Sequence, residues 1–343
     1  VEVVRAGSVL KSDNLRETSV SVPELVENEI LVRVNACGVC YRDVIDREGG
    51  NSFVSFPIAL GHEIAGMVVE SKAKEWKEGD RIVSLHGAPC GSCDLCCSGN
   101  SPRCTVNAPY TYGLLCNGGY QQYAVLHANS LVKLPNSIPF TAGSFLCCTA
   151  AVSLRALKLG NVKPGNIVLI TGASGGVGVH AIQVASALGA RVVCITSNES
   201  KIPKLLELGA SKVILSQENS FHRQIVSELG EPVDVVLELV GGPTFRSSFL
   251  SVKPTGTIVV VGNISVAKVP LPLGRMILFE IKVVGSSGAT KEDVEEVIEM
   301  AQRGTLQPIL CKEFPLSVHG IHEAHTMLQR KSVMGRLVIN SSL

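Results

Sequence analysis

Residues 166–188 constrain the fold more than any other stretch. There NIVLI, TGASGGVG (171–178) and an amphipathic segment, GVHAIQVASALGA, overlap without a break. NIVLI is a short unbroken apolar run, as in a strand buried on both faces. The next segment carries Gly172, Gly175, Gly176 and Gly178, which let the backbone turn tightly and approach a ligand. The last places Val179, Ile182, Ala185 and Leu188 roughly on one helical face. A glycine triplet alone is a common turn. Between a buried strand and a helix it is the setting in which backbone N–H groups and a helix N-terminus hold a phosphate anion. Gly172, Ser174, Gly175, Gly176, Val177 and Gly178 are therefore candidates to cradle a dinucleotide pyrophosphate.

The pattern continues with RVVCIT (191–196), KVIL (212–215), VDVVLELV (233–240), TIVVVG (257–262) and IKVVGS (281–286). Helical segments are expected near 199–208 and 220–229. Alternating strands and helices predict a doubly wound parallel sheet. Val240, Gly262 and Asn263 fall at C-terminal strand ends, which face the ligand crevice in such sheets. An NAD site usually ends its second strand in a carboxylate on the ribose hydroxyl. Here the strand ends in Thr196 and Ser197, with Lys201 nearby. Hydroxyls and a lysine favour a 2′-phosphate, hence NADP(H). The competing reading is that Asn198 or Glu199 serves NAD.

The first 140 residues read differently. Short apolar runs such as EILVRVNACG and IAGMVVE alternate with Gly, Pro and Asn, as in a mostly β region. After Ser287 the chain carries one convincing helix, with Thr290 and Asp293 as a cap signal and Gly304 as a stop. It ends in a short strand, GRLVIN, expected to return to the first region. A length of 343 residues suits two domains. With 31 Lys and Arg against 30 Asp and Glu, the net charge of +1 argues against a nucleic-acid or polybasic membrane partner. No stretch is read as approaching a membrane span, and VEVVRAGSVLKSDN lacks an apolar export core.

Twelve cysteines are unevenly placed in this long chain. That argues for metal sites in a reducing compartment, the cytoplasm, over a disulfide scaffold. Cys90-x2-Cys93-x2-Cys96-x7-Cys104 can close a tetrahedral sphere around zinc within one loop. Four sulfurs leave no open position, so such a zinc is structural. A second, dispersed set comprises Cys40 in GVCYRD (38–43), His62 in GHE (61–63), and Cys148. Cysteine, histidine and a third soft ligand from separate segments suit an open catalytic zinc. Glu63 could be an exchangeable fourth ligand, and Asp43 could accept a hydrogen bond from the far nitrogen of His62. Taken singly, each has a plainer role as a core cysteine or a satisfied histidine.

In this order the motifs resemble those of the zinc-containing medium-chain dehydrogenase/reductase family, that of the zinc alcohol dehydrogenases. The resemblance covers essentially the whole chain. It implies a GroES-like catalytic domain from residues 1–145 and 287–343, with the zinc lobe at 90–104. A Rossmann coenzyme domain would fill 146–286. It also implies Cys40, His62 and Cys148 as catalytic zinc ligands, Glu63 alternating with water, and Arg336 reaching the coenzyme pyrophosphate. Dimers or tetramers are expected, paired through the exposed sheet edge near IKVVGS. Two positions depart from the pattern. Where the family usually carries a Ser or Thr that relays the alcohol proton, this chain has Arg42, and the relay histidine position holds Ile45. Tyr41 stands where relatives have His or Arg near the coenzyme, and could donate a proton or merely pack. CYRD, the long run from TGASGGVG and SGATKED are most similar to archaeal-type acryloyl-CoA reductases.

The function expected is a zinc-dependent NADP(H) oxidoreductase of alcohol dehydrogenase or carbonyl reductase type, acting on a small molecule. The alternative is NADPH-dependent reduction of an enoyl-CoA. There Arg42 would meet a charged substrate, although a surface ion pair is an equal role for it. A non-catalytic NADPH-binding module is the remaining class.

Overall fold

The computed structural model describes residues 2–9, 15–216 and 220–343. Part of the N-terminal stretch that carries the no-export reading, residues 1 and 10–14, lies outside the described residues. The chain forms two compact units, one from 1–151, 288–303 and 308–343, the other from 152–287 and 304–307. The divisions expected at 145/146 and 286/287 thus stand beside changes at 151/152 and 287/288, and a four-residue return to the second unit.

Among the described residues, the second unit holds six parallel strands. Their order across the sheet is Lys212–Leu215, Arg191–Thr196, Ile167–Ile170, Val233–Glu238, Val252–Val260 and Lys282–Gly285. In chain order this is 3-2-1-4-5-6, a doubly wound sheet with its switch point between the first and fourth strands. Leu169, Val193, Val236 and Ile258 are fully buried and pack with Phe221 and Phe249 from the covering elements. Burial on both faces is why these runs are uninterrupted by polar residues.

A buried carboxylate closes the switch point. Glu238 ends the fourth strand with no exposed surface. Its Oε1 accepts from Thr171 Oγ1 (2.7 Å), Val240 N (3.0 Å), Gly241 N (2.9 Å) and Thr244 Oγ1 (2.6 Å). Its Oε2 accepts from Ser248 Oγ at 2.5 Å. The five donors come from the residue after the first strand, from the turn after the fourth, and from helix Gly242–Ser251. Donors of this kind are what make a buried carboxylate tolerable without a cation.

The first unit is built on strand Glu29–Val39. Glu63–Ser71 pairs antiparallel along one side, with Gly38 opposite Glu63. Arg336–Asn340 pairs antiparallel along the other, with Leu337 opposite Val39. The C-terminal strand therefore returns to the first region, and the ends of the three strands meet beside Cys40. Buried Ile30, Val32, Ile64, Leu126 and Leu337 form the core around them.

Two readings of the sequence need correction. The tail holds two helices, not one: Lys291–Gln302, with the expected Thr290–Asp293 capping box, and Val318–Gln329, capped by Ser317. Strand Leu310–Pro315 was also unforeseen; its alternation is weak, and it is held in parallel pairing with Arg336–Asn340. The helical stretch Phe140–Leu159, which carries Arg155 and Lys158, is long and apolar enough by composition to cross a membrane, with a mean hydropathy of 1.4. Its most apolar window is 78% buried in the protein, so its apolarity is that of a core helix.

Replacing Glu238 by Ala strands several buried donors, each costing about 1–3 kcal/mol when left unpaired. Urea unfolding is expected to show Glu238→Ala destabilised by about 3 kcal/mol or more. A loss below about 1 kcal/mol would mean the donors find other partners.

Candidate metal centres and coenzyme turn

Cys40 directly follows strand Glu29–Val39 and starts helix Tyr41–Arg47. Asp43 sits three residues on, and its Oδ2 accepts from the Cys40 backbone N–H at 2.9 Å. The C-x-x-D spacing is thus a helix-start motif as well as a chemical one. The same oxygen accepts from Tyr120 Oη at 3.1 Å, and Oδ1 lies 3.1 Å from His62 Nδ1. Because a carboxylate only accepts, this contact assigns the proton to Nδ1 and leaves Nε2 with its lone pair. Burial opposes charge on both groups. Their mutual attraction outweighs it, holding the Asp43 carboxyl below its ordinary value and the His62 imidazole above.

His62 Nε2 is 3.4 Å from Cys148 Sγ and 3.7 Å from Glu63 Oε1. Cys148 Sγ is 4.0 Å from Cys40 Sγ. All four ligand atoms lie within 4.8 Å of one another. Cys148 is carried on a wide π-type turn, Cys147–Ala151, a local irregularity often found where a side chain is aimed at a site. The hydrogen bond from the Cys148 thiol holds Cys40 well below its ordinary range, and the same bond holds Cys148 well above. Two sulfurs, an imidazole nitrogen and a carboxylate oxygen are the donor types that zinc takes.

Glu63 is fully buried and bound in a two-point ion pair by Arg336, through Nε at 2.9 Å and through Nη2. Arg336, directed by the resemblance to a pyrophosphate, is buried with these two nitrogens taken by Glu63. The pair explains Gly38: a Cβ there would fall on the Glu63 carboxylate. Arg42 turns elsewhere. Its Nε is 3.3 Å from Asp46 Oδ2, and its Nη2 donates to the Tyr112 carbonyl at 3.2 Å. Tyr41 is half-buried on the same helix, its phenol pushed up first by burial and then by Glu48.

The second cysteine set is equally compact. The sulfurs of Cys90, Cys93, Cys96 and Cys104 lie within 4.8 Å of one another. The Cys90–Cys96 and Cys93–Cys104 separations are 3.9 and 4.0 Å. A tetrahedron with zinc–sulfur bonds of about 2.3 Å has sulfurs roughly 3.8 Å apart. Backbone N–H groups of Ser92 and Cys93 donate to Cys90 Sγ, and the thiol is lowered to about 6 by them. Cys97 is exposed and outside the set.

In the second unit the glycine turn runs into helix Gly178–Ala187. Gly172 has φ +58°, and a Cβ at Gly178 would sit 2.5 Å from the carbonyl oxygens of Gly172 and Ala173. The turn thus folds back on its own backbone with no room for a side chain, which leaves bare backbone along it. Lys201 Nζ reaches Ser174 Oγ at 3.3 Å, joining the end of the second strand to the turn. Thr196 is buried and its Oγ1 accepts from Asn198 N, while Ser197 is exposed. Val240 borders Gly172, Gly262 lies against the Leu239 backbone, and Asn263 is exposed beside Gly241.

Several partners escaped the sequence reading. Tyr120 and the Glu63–Arg336 pair have no local signal, because their partners are distant in the chain. His180 Nδ1 lies 2.6 Å from the Gly176 carbonyl, one helical turn back. Glu238 was the most visible omission, a lone acid closing an apolar strand. His86, four residues before Cys90, lies edge-on to His62 with ring centroids 5.0 Å apart. Burial pushes its imidazole down to about 3.

Comparison with known proteins agrees with this arrangement. Residues 26–136 match the family model of the alcohol dehydrogenase GroES-like domain, and residues 176–303 that of the zinc-binding dehydrogenases. Acryloyl-coenzyme A reductase of Sulfurisphaera tokodaii is 34% identical over 321 residues, covering 92% of this chain and 93% of that protein. The crystal structure of AibC superposes with a TM-score of 0.90 at 36% identity, over 99% of this chain and 96% of AibC. The cobalt- and zinc-bound thermostable alcohol dehydrogenase of Pyrobaculum aerophilum gives 0.89 at 27% identity, over 98% and 99%. With its GroES-like and dinucleotide-binding parts, the chain belongs to the zinc-containing medium-chain dehydrogenase/reductase family of oxidoreductases.

Proposed function

We propose that the chain is a zinc-dependent NADP(H) oxidoreductase of alcohol dehydrogenase or carbonyl reductase type. The observation that carries this reading is the convergence of Cys40, His62, Glu63 and Cys148 within 4.8 Å. Zinc, when bound, supplies Lewis-acid polarisation of a carbonyl oxygen, and the nicotinamide supplies or accepts the hydride. The chain's own work is positional. Cys40, His62 and Cys148 hold the metal, and Asp43 fixes the His62 ring through Nδ1. Arg336 restrains the Glu63 carboxylate, which suits an exchangeable ligand better than a permanent one. Cys90, Cys93, Cys96 and Cys104 hold a second, closed zinc. Gly172, Ser174, Gly175, Gly176, Val177 and Gly178 cradle the pyrophosphate, with Val240, Gly262 and Asn263 along the same crevice. Lys201, with Thr196 and Ser197, receives the 2′-phosphate; its contact with Ser174 Oγ supports that role.

A second reading is NADPH-dependent reduction of a 2-enoyl-CoA. It is favoured by Arg42, whose side chain supplies no hydroxyl relay and is tied to Asp46 and Tyr112. Similarity to the protein named acryloyl-coenzyme A reductase points the same way. Hydride then adds to the β-carbon and a proton to the α-carbon, while charge develops on the thioester oxygen.

A second copy of the chain is the partner this reading includes. Leu273, Ile277 and Leu278 are 63, 75 and 80% exposed, just before the sheet-edge strand Lys282–Gly285. Apolar surface beside an unpaired edge suits pairing between copies.

NADPH oxidation by zinc-loaded protein, with ketones and acryloyl-CoA assayed side by side, separates the two reactions. Ketone reduction with a silent thioester is expected. Faster thioester turnover would establish the second reading, and inactivity on both would remove the proposal. Lys201→Ala is expected to cut the preference for NADPH over NADH by about tenfold, the worth of one charge-assisted contact. An unchanged ratio of dissociation constants would place the 2′-phosphate elsewhere. Cys93→Ser should release one of two zincs per chain and lower the melting temperature by about 5 °C or more, since ligand loss removes folding energy. Lost turnover with unchanged melting would count against a structural lobe.

A further inference from the structure

Helix Gly178–Ala187 begins with an irregularity at Gly176. Val179 N donates to the Gly175 carbonyl at 3.1 Å and Ala181 N to the Val177 carbonyl at 2.8 Å, each four residues back. The His180 N–H departs from this step and donates three residues back, to the Val177 carbonyl, at 3.2 Å. The Gly176 carbonyl, the ordinary helical partner of that N–H, meets the imidazole instead, with Nδ1 at 2.6 Å. A carbonyl only accepts, so this contact puts the ring proton on Nδ1. His180 is fully buried, and burial pushes its imidazole down to about 4. Near neutral pH the ring is therefore uncharged and keeps its one proton for Gly176.

The bond reaches the glycine turn through a peptide plane. The Gly176–Val177 peptide is trans and rigid, and its C=O and N–H point in opposite directions. Val177 has helical angles, φ −74° and ψ −43°. Holding the carbonyl on the helix side thus fixes the Val177 N–H on the side of the turn. The N–H groups of Gly176, Val177 and Gly178 have no hydrogen-bond partner among the described residues, whereas Gly175 N is taken by the Gly172 carbonyl at 3.0 Å. Glycine at both 175 and 176 gives this segment more backbone freedom than any other residue would. A hydrogen bond from a buried ring restrains it without placing a side chain in the turn.

On the reading of Gly172–Gly178 as the coenzyme turn, we propose that His180 is its positioning residue. By holding the Gly176 carbonyl it aims the Val177 N–H at the coenzyme pyrophosphate. His180 itself touches no ligand. It sets a donor in place before the anion arrives, so that less ordering is left for binding to supply.

The test is calorimetric titration of NADPH and of NADH into the native protein and three variants. His180→Leu and His180→Phe keep the buried space filled and remove the donor. His180→Gln restores one: in the same helix Gln183 Nε2 already donates one turn back, to the Val179 carbonyl at 3.1 Å. In His180→Leu the dissociation constant of each coenzyme should rise about fivefold, the worth of one hydrogen bond, and His180→Gln should recover most of that loss. The two coenzymes share the pyrophosphate, so both should weaken by the same factor and their ratio should hold. If His180→Leu does not fold, His180→Phe carries the same expectation. Dissociation constants within twofold of native in the apolar variants would overturn the proposal. So would a loss confined to one coenzyme, or a His180→Gln protein as weak as His180→Leu. Each of these outcomes leaves the turn's coenzyme role standing. A native protein that binds neither coenzyme would overturn both readings.

Discussion

The Asp43 carboxylate is the contact on which the candidate centre depends. It accepts from the Cys40 backbone, lies in hydrogen-bonding contact with the His62 ring and accepts from the Tyr120 hydroxyl, all within 2.9–3.1 Å. One buried group thus starts helix Tyr41–Arg47, sets the tautomer of His62 and places two ligands relative to each other. Because Asp43 is fully buried, losing one of these donors would leave a buried charge less fully compensated. The pairing of Glu63 with Arg336 extends the same logic to the neighbouring strands. It brings a third strand, from the far end of the chain, to the edge where Cys40 and His62 already meet.

Glu238 does comparable work in the second unit without a cation. Backbone N–H groups and three hydroxyls satisfy it, and they tie the first and fourth strands together where the sheet reverses direction. That is where ligands bind in sheets of this order. A turn that presents bare backbone to an anion needs its flanking strand ends held firmly, and a saturated carboxylate does so with no side chain entering the cradle.

Arg42 makes the chemistry of this chain differ from an ordinary alcohol relay. Its guanidinium is committed to Asp46 and to the Tyr112 carbonyl, so the helix that carries Cys40 offers no hydroxyl at that position. Proton supply must then come from solvent or another group in the carbonyl reading. In the enoyl reading the proton goes to carbon, and the more urgent need is stabilisation of an oxygen.

Much of the fold was legible because it is local. Unbroken apolar runs revealed the six parallel strands, since strands covered on both faces admit few polar residues. Glycine spacing marked the tight turn between the first parallel strand and its helix, because only glycine tolerates the backbone conformation at Gly172 and the close backbone approach at Gly178. The Cys90–Cys104 spacing marked a compact sulfur cluster, since one short loop can bring four thiols together. Other features required the tertiary structure. Cys40, His62 and Cys148 are separated by up to 108 residues, and only the pairing of Glu29–Val39 with Glu63–Ser71 and the turn at Cys147–Ala151 bring their atoms into contact. Likewise, Arg336 meets Glu63 across 273 residues. Short-range chemistry is written in spacing; which distant groups share a buried space is decided by strand register and by the requirement that every buried charge find a partner.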